Sequence, residues 1–249
     1  MDRILATLMF FTRLPFWRIK QVDAEHFKHV VPYWPLAGWL TGCIMVGVLW
    51  LSAQVMPLGV AWLFAIVGRL LVTGCLHEDG LADFCDGMGG GVTRERILVI
   101  MKDSHIGTYG VIGLIIYFLL LTQMSALPLD LLCAIVFVGD VWGKFISSHI
   151  INVLPYARNE EQAKNKTVYQ RMNAVEILIN IVIGSLPMAL FLPHYYWWAL
   201  LAPVVVFIIL TSLMRHRIQG YTGDCCGALF LISELTYLLT CLALYYYNY

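Results

Sequence analysis

An all-α, polytopic integral membrane protein of about seven transmembrane helices is the fold this sequence predicts, on three observations. Of its 249 residues, 60% are hydrophobic and 13% charged, whereas a soluble domain carries about a quarter charged. No Asp, Glu, Lys or Arg occurs from Val30 to Gly68, from Ser104 to Leu129, from Ile177 to Met214, or from Leu235 to Tyr249. Lys and Arg recur on alternate connections between these gaps. The composition excludes intrinsic disorder. Seven cysteines without a C-x-x-C pair do not make a disulfide scaffold. Sixteen basic residues balancing sixteen acidic ones leave no excess to bind nucleic acid. The partner the composition calls for is a lipid bilayer.

A span needs about 20 mostly apolar residues, so each of the two longest gaps holds two helices and a turn. Gln54 to Gly59, with Pro57, breaks the first, and Leu192-Pro193-His194-Tyr195 breaks the second. Single spans near Gly107–Ala126, Leu131–Asn152 and Gly227–Tyr247 complete seven. Ahead of them, Ile4 to Phe11 is apolar but too short to span, so residues 1–29 are expected to form an interfacial or re-entrant segment. The whole chain, 1–249, reads as a single transmembrane domain. Arg3, Arg13, Arg18, Lys20 and Lys28 precede the first span, and Arg94, Arg96 and Lys102 follow the second. Arg158, Lys164, Lys166 and Arg171 follow the fourth, and Arg215 and Arg217 the sixth. The positive-inside rule then places the N-terminus in the cytoplasm. It also places Asn165-Lys166-Thr167 there, which discounts its match to a glycosylation sequon. Tyr195-Tyr196-Trp197-Trp198 and Tyr245-Tyr246-Tyr247 read as interfacial belts.

Chemistry concentrates after the second span, in a cytoplasmic active-site loop expected over 77–106. His77-Glu78-Asp79-Gly80-Leu81-Ala82-Asp83-Phe84-Cys85-Asp86-Gly87 holds four acids. If the helix runs on through it, a 100° step puts Asp79, Asp83 and Asp86 within about 60° of arc, with Glu78 pointing elsewhere. Three carboxylates on one face repel one another unless a cation sits among them, and an all-oxygen set suits Mg²⁺ or Mn²⁺. A solvated acidic helix end is the bland reading; clustered acids at a membrane boundary weigh against it. Gly87-Met88-Gly89-Gly90-Gly91 is expected to form a flexible loop that lets amides approach an anion, and Thr93-Arg94-Glu95-Arg96 to open a helix beside it. Met101-Lys102-Asp103-Ser104-His105 adds a carboxylate, a hydroxyl and an imidazole, with Asp103 suited to a second metal site or to general-base work. Gln219-Gly220-Tyr221-Thr222-Gly223-Asp224 precedes the last span, with Glu234 about 15 Å further along it. Asp140 and Lys144, four apart in the fourth span, can pair on one face. Arg69 lies about two turns inside the second span, placed to anchor a carboxylate or a phosphate.

These motifs carry a resemblance. His77-Glu78-Asp79-Gly80-Leu81-Ala82-Asp83 with Asp86-Gly87, Met101-Lys102-Asp103-Ser104 with Gly107, and Thr222-Gly223-Asp224 with Gly227-Ala228 and Glu234 are similar to the cobalamin-5′-phosphate synthase family, also called adenosylcobinamide-GDP ribazoletransferase. Thr12-Arg13-Leu14-Pro15 and Pro35-Leu36-x-Gly38 resemble its N-terminal part. The sequence departs from the family at His105, commonly Arg, and at Gln219, where a glycine pair would begin. The resemblance implies a Mg²⁺-dependent transferase of the bacterial cytoplasmic (inner) membrane with its active site facing the cytoplasm. It would move the cobinamide-phosphoryl group of adenosylcobinamide-GDP to α-ribazole or α-ribazole 5′-phosphate, giving adenosylcobalamin or its 5′-phosphate and releasing GMP. Expected roles are metal ligation by Asp79, Asp83 and Asp86, catalysis by Asp79, Asp86 and Asp103, and substrate contacts from His77, Arg94, Arg96, Lys102, Ser104, Thr222, Asp224 and Glu234. A homo-oligomer, or association with upstream cobalamin enzymes, is left open. A CDP-alcohol phosphotransferase of phospholipid synthesis is the rival of like chemistry, and a cation transporter using Asp140, Lys144, Arg69 and Glu234 the rival of another class.

Overall fold

The computed structural model describes residues 1–158 and 168–247. Lys164, Lys166 and the sequon at 165–167 lie outside them. Eleven helices and a few 3₁₀ turns make up the described fold, with one isolated bridge, Tyr156 to Tyr221, in place of strands. In chain order they are α1 (Asp2–Phe11), α2 (Trp34–Ala53), α3 (Leu58–Thr73), α4 (Leu76–Gly90), α5 (Arg94–Lys102) and α6 (Thr108–Thr122). There follow α7 (Leu129–Ser148), the single turn α8 (Ile150–Val153), α9 (Ala174–Phe191), α10 (Leu201–Ile218) and α11 (Gly223–Tyr247).

Helices stand at all seven expected places: α2, α3, α6, α7, α9, α10 and α11. Among the described residues, five stretches are long and apolar enough to cross a membrane unaided, namely those containing α2, α6, α9, α10 and α11. A sixth is reached only by joining α3 to α4. The seventh place is held by α7, 20 residues long, with Asp140 and Lys144 inside it. The chain is thus a multi-pass membrane protein. Its boundaries follow local chemistry. Proline precedes α3 and α7, where a missing N–H costs nothing. A reciprocal capping box of Asn173 and Glu176 opens α9. On α6, α9 and α10, apolar side chains such as Ile112, Ile116, Leu178, Val182, Ile208 and Ile209 point outward, as lipid requires. By contrast, α7 and α11 are largely buried and form the centre, α11 against α4 and α7, α7 against α2.

One expectation is corrected here. The second span does not continue through the acidic motif: it stops at Gly74 and Cys75, both left-handed (φ 66° and 57°), and α4 leaves at 89° to α3. Two consecutive left-handed residues cannot be accommodated in a right-handed helix, and Gly74 supplies the first at no steric cost. A side chain at Gly74 would also collide with Arg13. The Arg13 backbone N–H donates to the Val72 carbonyl at 2.6 Å, so the N-terminal arm docks on the break. Nor is 77–106 a loop, since α4 and α5 fill most of it. The N-terminal segment is a ten-residue helix, α1, tied to the start of α9 by Arg3 and Glu176 at 2.6 Å.

Candidate active site

The break at Gly74–Cys75 turns the first residues of α4 toward the first residues of α11. The two helices cross at Gly80 and Gly227. A Cβ on Gly80 would lie 3.1 Å from the Asp224 carbonyl oxygen and 3.2 Å from its Cα, and one on Gly227 would lie 3.0 Å from the His77 carbonyl oxygen. A side chain at either position would push the facing backbone away by a few tenths of an ångström. The crossing brings Asp79, in the first turn of α4, and Asp224, in the first turn of α11, to one cleft of about 130 Å³. Arg158 and His77 share its lining, and Phe10, Phe11, Trp34, Tyr156 and Tyr169 give it an aromatic wall. Phe11 and Trp34 stack at 5.0 Å between centroids, 9° from parallel. His77 packs edge-on to Phe230, and among the described residues neither its Nε2 nor Trp34 Nε1 has a hydrogen-bond partner. Asp224 stands 3.9 Å from an Arg158 nitrogen and accepts from the Thr222 hydroxyl at 3.3 Å. Asp79 is exposed.

Other expected site residues lie elsewhere. Asp86 is on the face expected of it, but its two carboxylate oxygens accept the N–H groups of Gly107 and Gly110, at 2.7 and 2.8 Å. It caps α6. Asp83 is buried one turn below Asp79. Asp103 stands exposed after α5, accepting from the backbone and ring nitrogens of His105 at 3.0 and 2.6 Å. The ring contact first, and then the backbone N–H, hold its carboxyl below the usual carboxylate range, which makes it a weaker proton acceptor. Asp103, Ser104 and Arg96 do not line the cleft. Glu234 lies on the buried side of α11, where Arg69 Nη1 donates to both its oxygens at 2.6 Å and Arg69 Nη2 donates to Tyr117 Oη at 2.7 Å. Glu78 faces the same guanidinium at 3.6 Å, and Asp140 does so at 3.9 Å. Lys144 pairs with Asp140, as their spacing predicts, and donates to Thr41 at 3.2 Å.

The glycine run is a second correction. Gly87, Gly89 and Gly90 belong to α4 rather than to a phosphate-cradling loop. Gly87 packs on Met101, and Gly89 on the Tyr109 ring, so small residues there let α5 and α6 close on α4. Thr93 does open α5 as expected, its hydroxyl accepting from the Arg96 N–H at 3.3 Å. Among the described residues no three of His, Cys, Asp or Glu stand close enough to hold a metal ion. Mg²⁺, however, binds through one or two carboxylates plus substrate phosphates. An exposed Asp79, with Asp83 one turn below it on the same helix, offers that ion oxygen donors only and fits it.

A family model for cobalamin-5-phosphate synthase matches residues 3–242, nearly the whole chain. The chain belongs to this family. Adenosylcobinamide-GDP ribazoletransferase of Shewanella baltica (strain OS185) is 36% identical over 242 residues, covering 94% of this chain and 91% of the relative. The protein of the same name from Shewanella frigidimarina (strain NCIMB 400) is 34% identical over 255 residues, covering 98% and 95%. No solved structure matches the chain. This cobalamin-5-phosphate synthase family member is accordingly a membrane transferase of cobalamin biosynthesis. Sequence reasoning missed Arg158, which it counted only as a cytoplasmic charge, and missed the aromatic wall. Arg158 could have been noticed as the charge nearest the end of the fourth span; Phe10, Phe11 and Trp34 carried no signal beyond hydrophobicity.

Proposed function

We propose that this transferase moves the cobinamide-phosphoryl group of adenosylcobinamide-GDP to a ribose hydroxyl of α-ribazole or α-ribazole 5′-phosphate, releasing GMP, at the cytoplasmic face of the inner membrane. The observation that carries the reading is the family match across residues 3–242, with the family's acidic and Thr222-Gly223-Asp224 motifs meeting in one cleft. Asp79, with Asp83 one turn deeper on the same face of α4, would hold Mg²⁺ against the diphosphate. When bound, the ion neutralises charge that develops on the leaving GMP. Asp224, across the cleft on α11, is placed to accept the proton of the attacking hydroxyl. That oxygen forms a bond to the cobinamide-bearing phosphorus, the bond from this phosphorus to the GMP oxygen breaks, and GMP leaves with the electron pair. Backbone N–H groups at the starts of α4 and α11 add favourable potential for phosphate. The aromatic wall suits a flat heteroaromatic base. Arg69, Asp140, Lys144 and Glu234, which a cation carrier would need, are engaged with one another.

Incubating membranes with adenosylcobinamide-GDP, α-ribazole and Mg²⁺ and measuring cobalamin and GMP tests this reading directly. Cobalamin formation with stoichiometric GMP is expected, with neither product after chelation. Asp79→Asn should abolish GMP release, and substantial turnover by that variant at saturating Mg²⁺ would remove Asp79 from ion binding. Asp224→Asn should lower kcat while leaving the Mg²⁺ requirement where it was.

A further inference from the structure

Beside the cleft runs a second concavity, of about 450 Å³, lined by Arg94, Glu95, Leu98, Lys102, Ala157 and Arg158. Arg158 lines both spaces, so its buried guanidinium stands at their junction. Among the described residues three cations and one acid face this groove, and Glu95 is turned largely to water, its side chain 77% exposed. Arg94 and Arg158 have their nearest acids, Glu95 and Asp224, only at 3.9 Å, and backbone carbonyls hold both in place. Arg94 donates to the carbonyls of Ile218 and Ala157 at 3.0 and 2.8 Å, and Arg158 donates to that of Leu98 at 2.9 Å. Carbonyl oxygens orient a guanidinium and leave its charge free for an anion. Lys102, at the end of α5, is exposed and forms no salt bridge among the described residues.

Phosphoryl transfer sets a geometric demand. The attacking and leaving oxygens lie roughly in line on opposite sides of phosphorus, so the site needs two spaces flanking the phosphoryl group. The cleft, with its carboxylates and aromatic wall, and the groove, with its three basic residues, are two such spaces, and Arg158 lies between them. The groove, at about 450 Å³, is the roomier of the two by volume, against about 130 Å³ for the cleft.

We propose that the groove is the site of the leaving nucleotide, with Lys102 and Arg94 facing its phosphate and Arg158 contacting the diphosphate at the junction. The proposal rests on the transferase reading above and adds to it where the donor's nucleotide end lies. Binding of GMP alone to the full chain in nanodiscs tests it without turnover, so a failure of the transfer assay remains distinguishable from a failure here. Purified protein should bind GMP, and Lys102→Glu, on an exposed residue, should weaken that binding at least tenfold with no change in unfolding temperature. The same variant should raise the product-inhibition constant for GMP by a similar factor, and Arg158→Lys should weaken GMP as well. A change under twofold in both variants would overturn the assignment. So would a loss confined to α-ribazole 5′-phosphate, which would make the groove an acceptor site. GMP binding that vanishes when anionic lipid is added to the nanodiscs would assign the cations to lipid phosphate and overturn it equally.

Discussion

Replacing Arg69 by methionine tests whether the buried ionic knot beneath the cleft holds the bundle together. Arg69 is fully buried, and it reaches Glu234 at 2.6 Å, Tyr117 at 2.7 Å, Glu78 at 3.6 Å and Asp140 at 3.9 Å. These partners sit on α11, α6, α4 and α7, so one guanidinium joins five helices, its own included. With Lys144 it sets two cations against three carboxylates. Its loss leaves one against three, in surroundings where the Glu78 oxygens already have no hydrogen-bond partner among the described residues. Removing one partner from a buried ion pair costs about 3–5 kcal/mol, because the other charge stays desolvated. Exchanging both partners for apolar groups of like volume is often near neutral. Arg69→Met should therefore cost about 3–5 kcal/mol, and Arg69→Met with Glu234→Met together should cost less than the sum of the two single changes. Denaturant titration in mixed micelles, followed by tryptophan fluorescence, gives the three values. A single-variant cost under about 1 kcal/mol, or strict additivity in the double variant, would refute the argument, since either means the pair is not desolvated as the geometry requires.

Three further outcomes are expected. Asp86→Asn should lower stability by about 1–2 kcal/mol through loss of the charged cap on α6, visible as a lower melting temperature, while the Mg²⁺ concentration for half-maximal turnover stays unchanged. Gly80→Ala should cost about 1–3 kcal/mol and most of the activity, because the new methyl meets the backbone of Asp224, which cannot swing aside; a fully active variant would show that the helix crossing does not set the cleft. Gln219 has φ 56°, a left-handed conformation that glycine adopts without strain, so Gln219→Gly should stabilise the chain by about 0.5–1 kcal/mol in the same titration.

The sequence was legible wherever one residue's neighbours along the chain decide its state. Gaps in charge marked the helices because a bilayer admits few charges, and prolines marked where they begin. Asp140 and Lys144 pair because a spacing of four fixes it. Asp79, Asp83 and Asp86 do share a face of α4, yet that spacing could not say what stands opposite. Asp79 meets the cleft, whereas Asp86 meets the amides that open α6, 21 and 24 residues later. Arg69 and Glu234 are 165 residues apart, so their pairing depended on α3 and α11 meeting. The glycine run misled for a related reason. Read alone it signals a loop, and only the ring of Tyr109 and the side chain of Met101 packed against it show why a helix there contains so little side chain.

The bend at Gly74–Cys75 links the membrane fold to the chemistry. Had α3 run straight on, the acidic motif would continue along the span, and Asp79 could not meet Asp224. By turning 89° the chain starts a fresh helix at Leu76, and a fresh helix has unpaired N–H groups in its first turn. The start of α11, behind the left-handed Gln219, supplies a second set. Each set carries an aspartate, so the cleft offers N–H donors to phosphate oxygens and, from α4, a carboxylate to a cation within a single small volume. A cation alone would be repelled by the helix dipoles and a phosphate alone by the aspartates; a metal-bound diphosphate satisfies both. The order of binding follows. Free Mg²⁺ should bind the isolated protein weakly, and the donor diphosphate should tighten it by at least tenfold. Isothermal titration of Mg²⁺ with and without the donor measures the ratio, and tight binding of Mg²⁺ to the protein alone would mean that the carboxylates, rather than the pairing of ion and diphosphate, define the site.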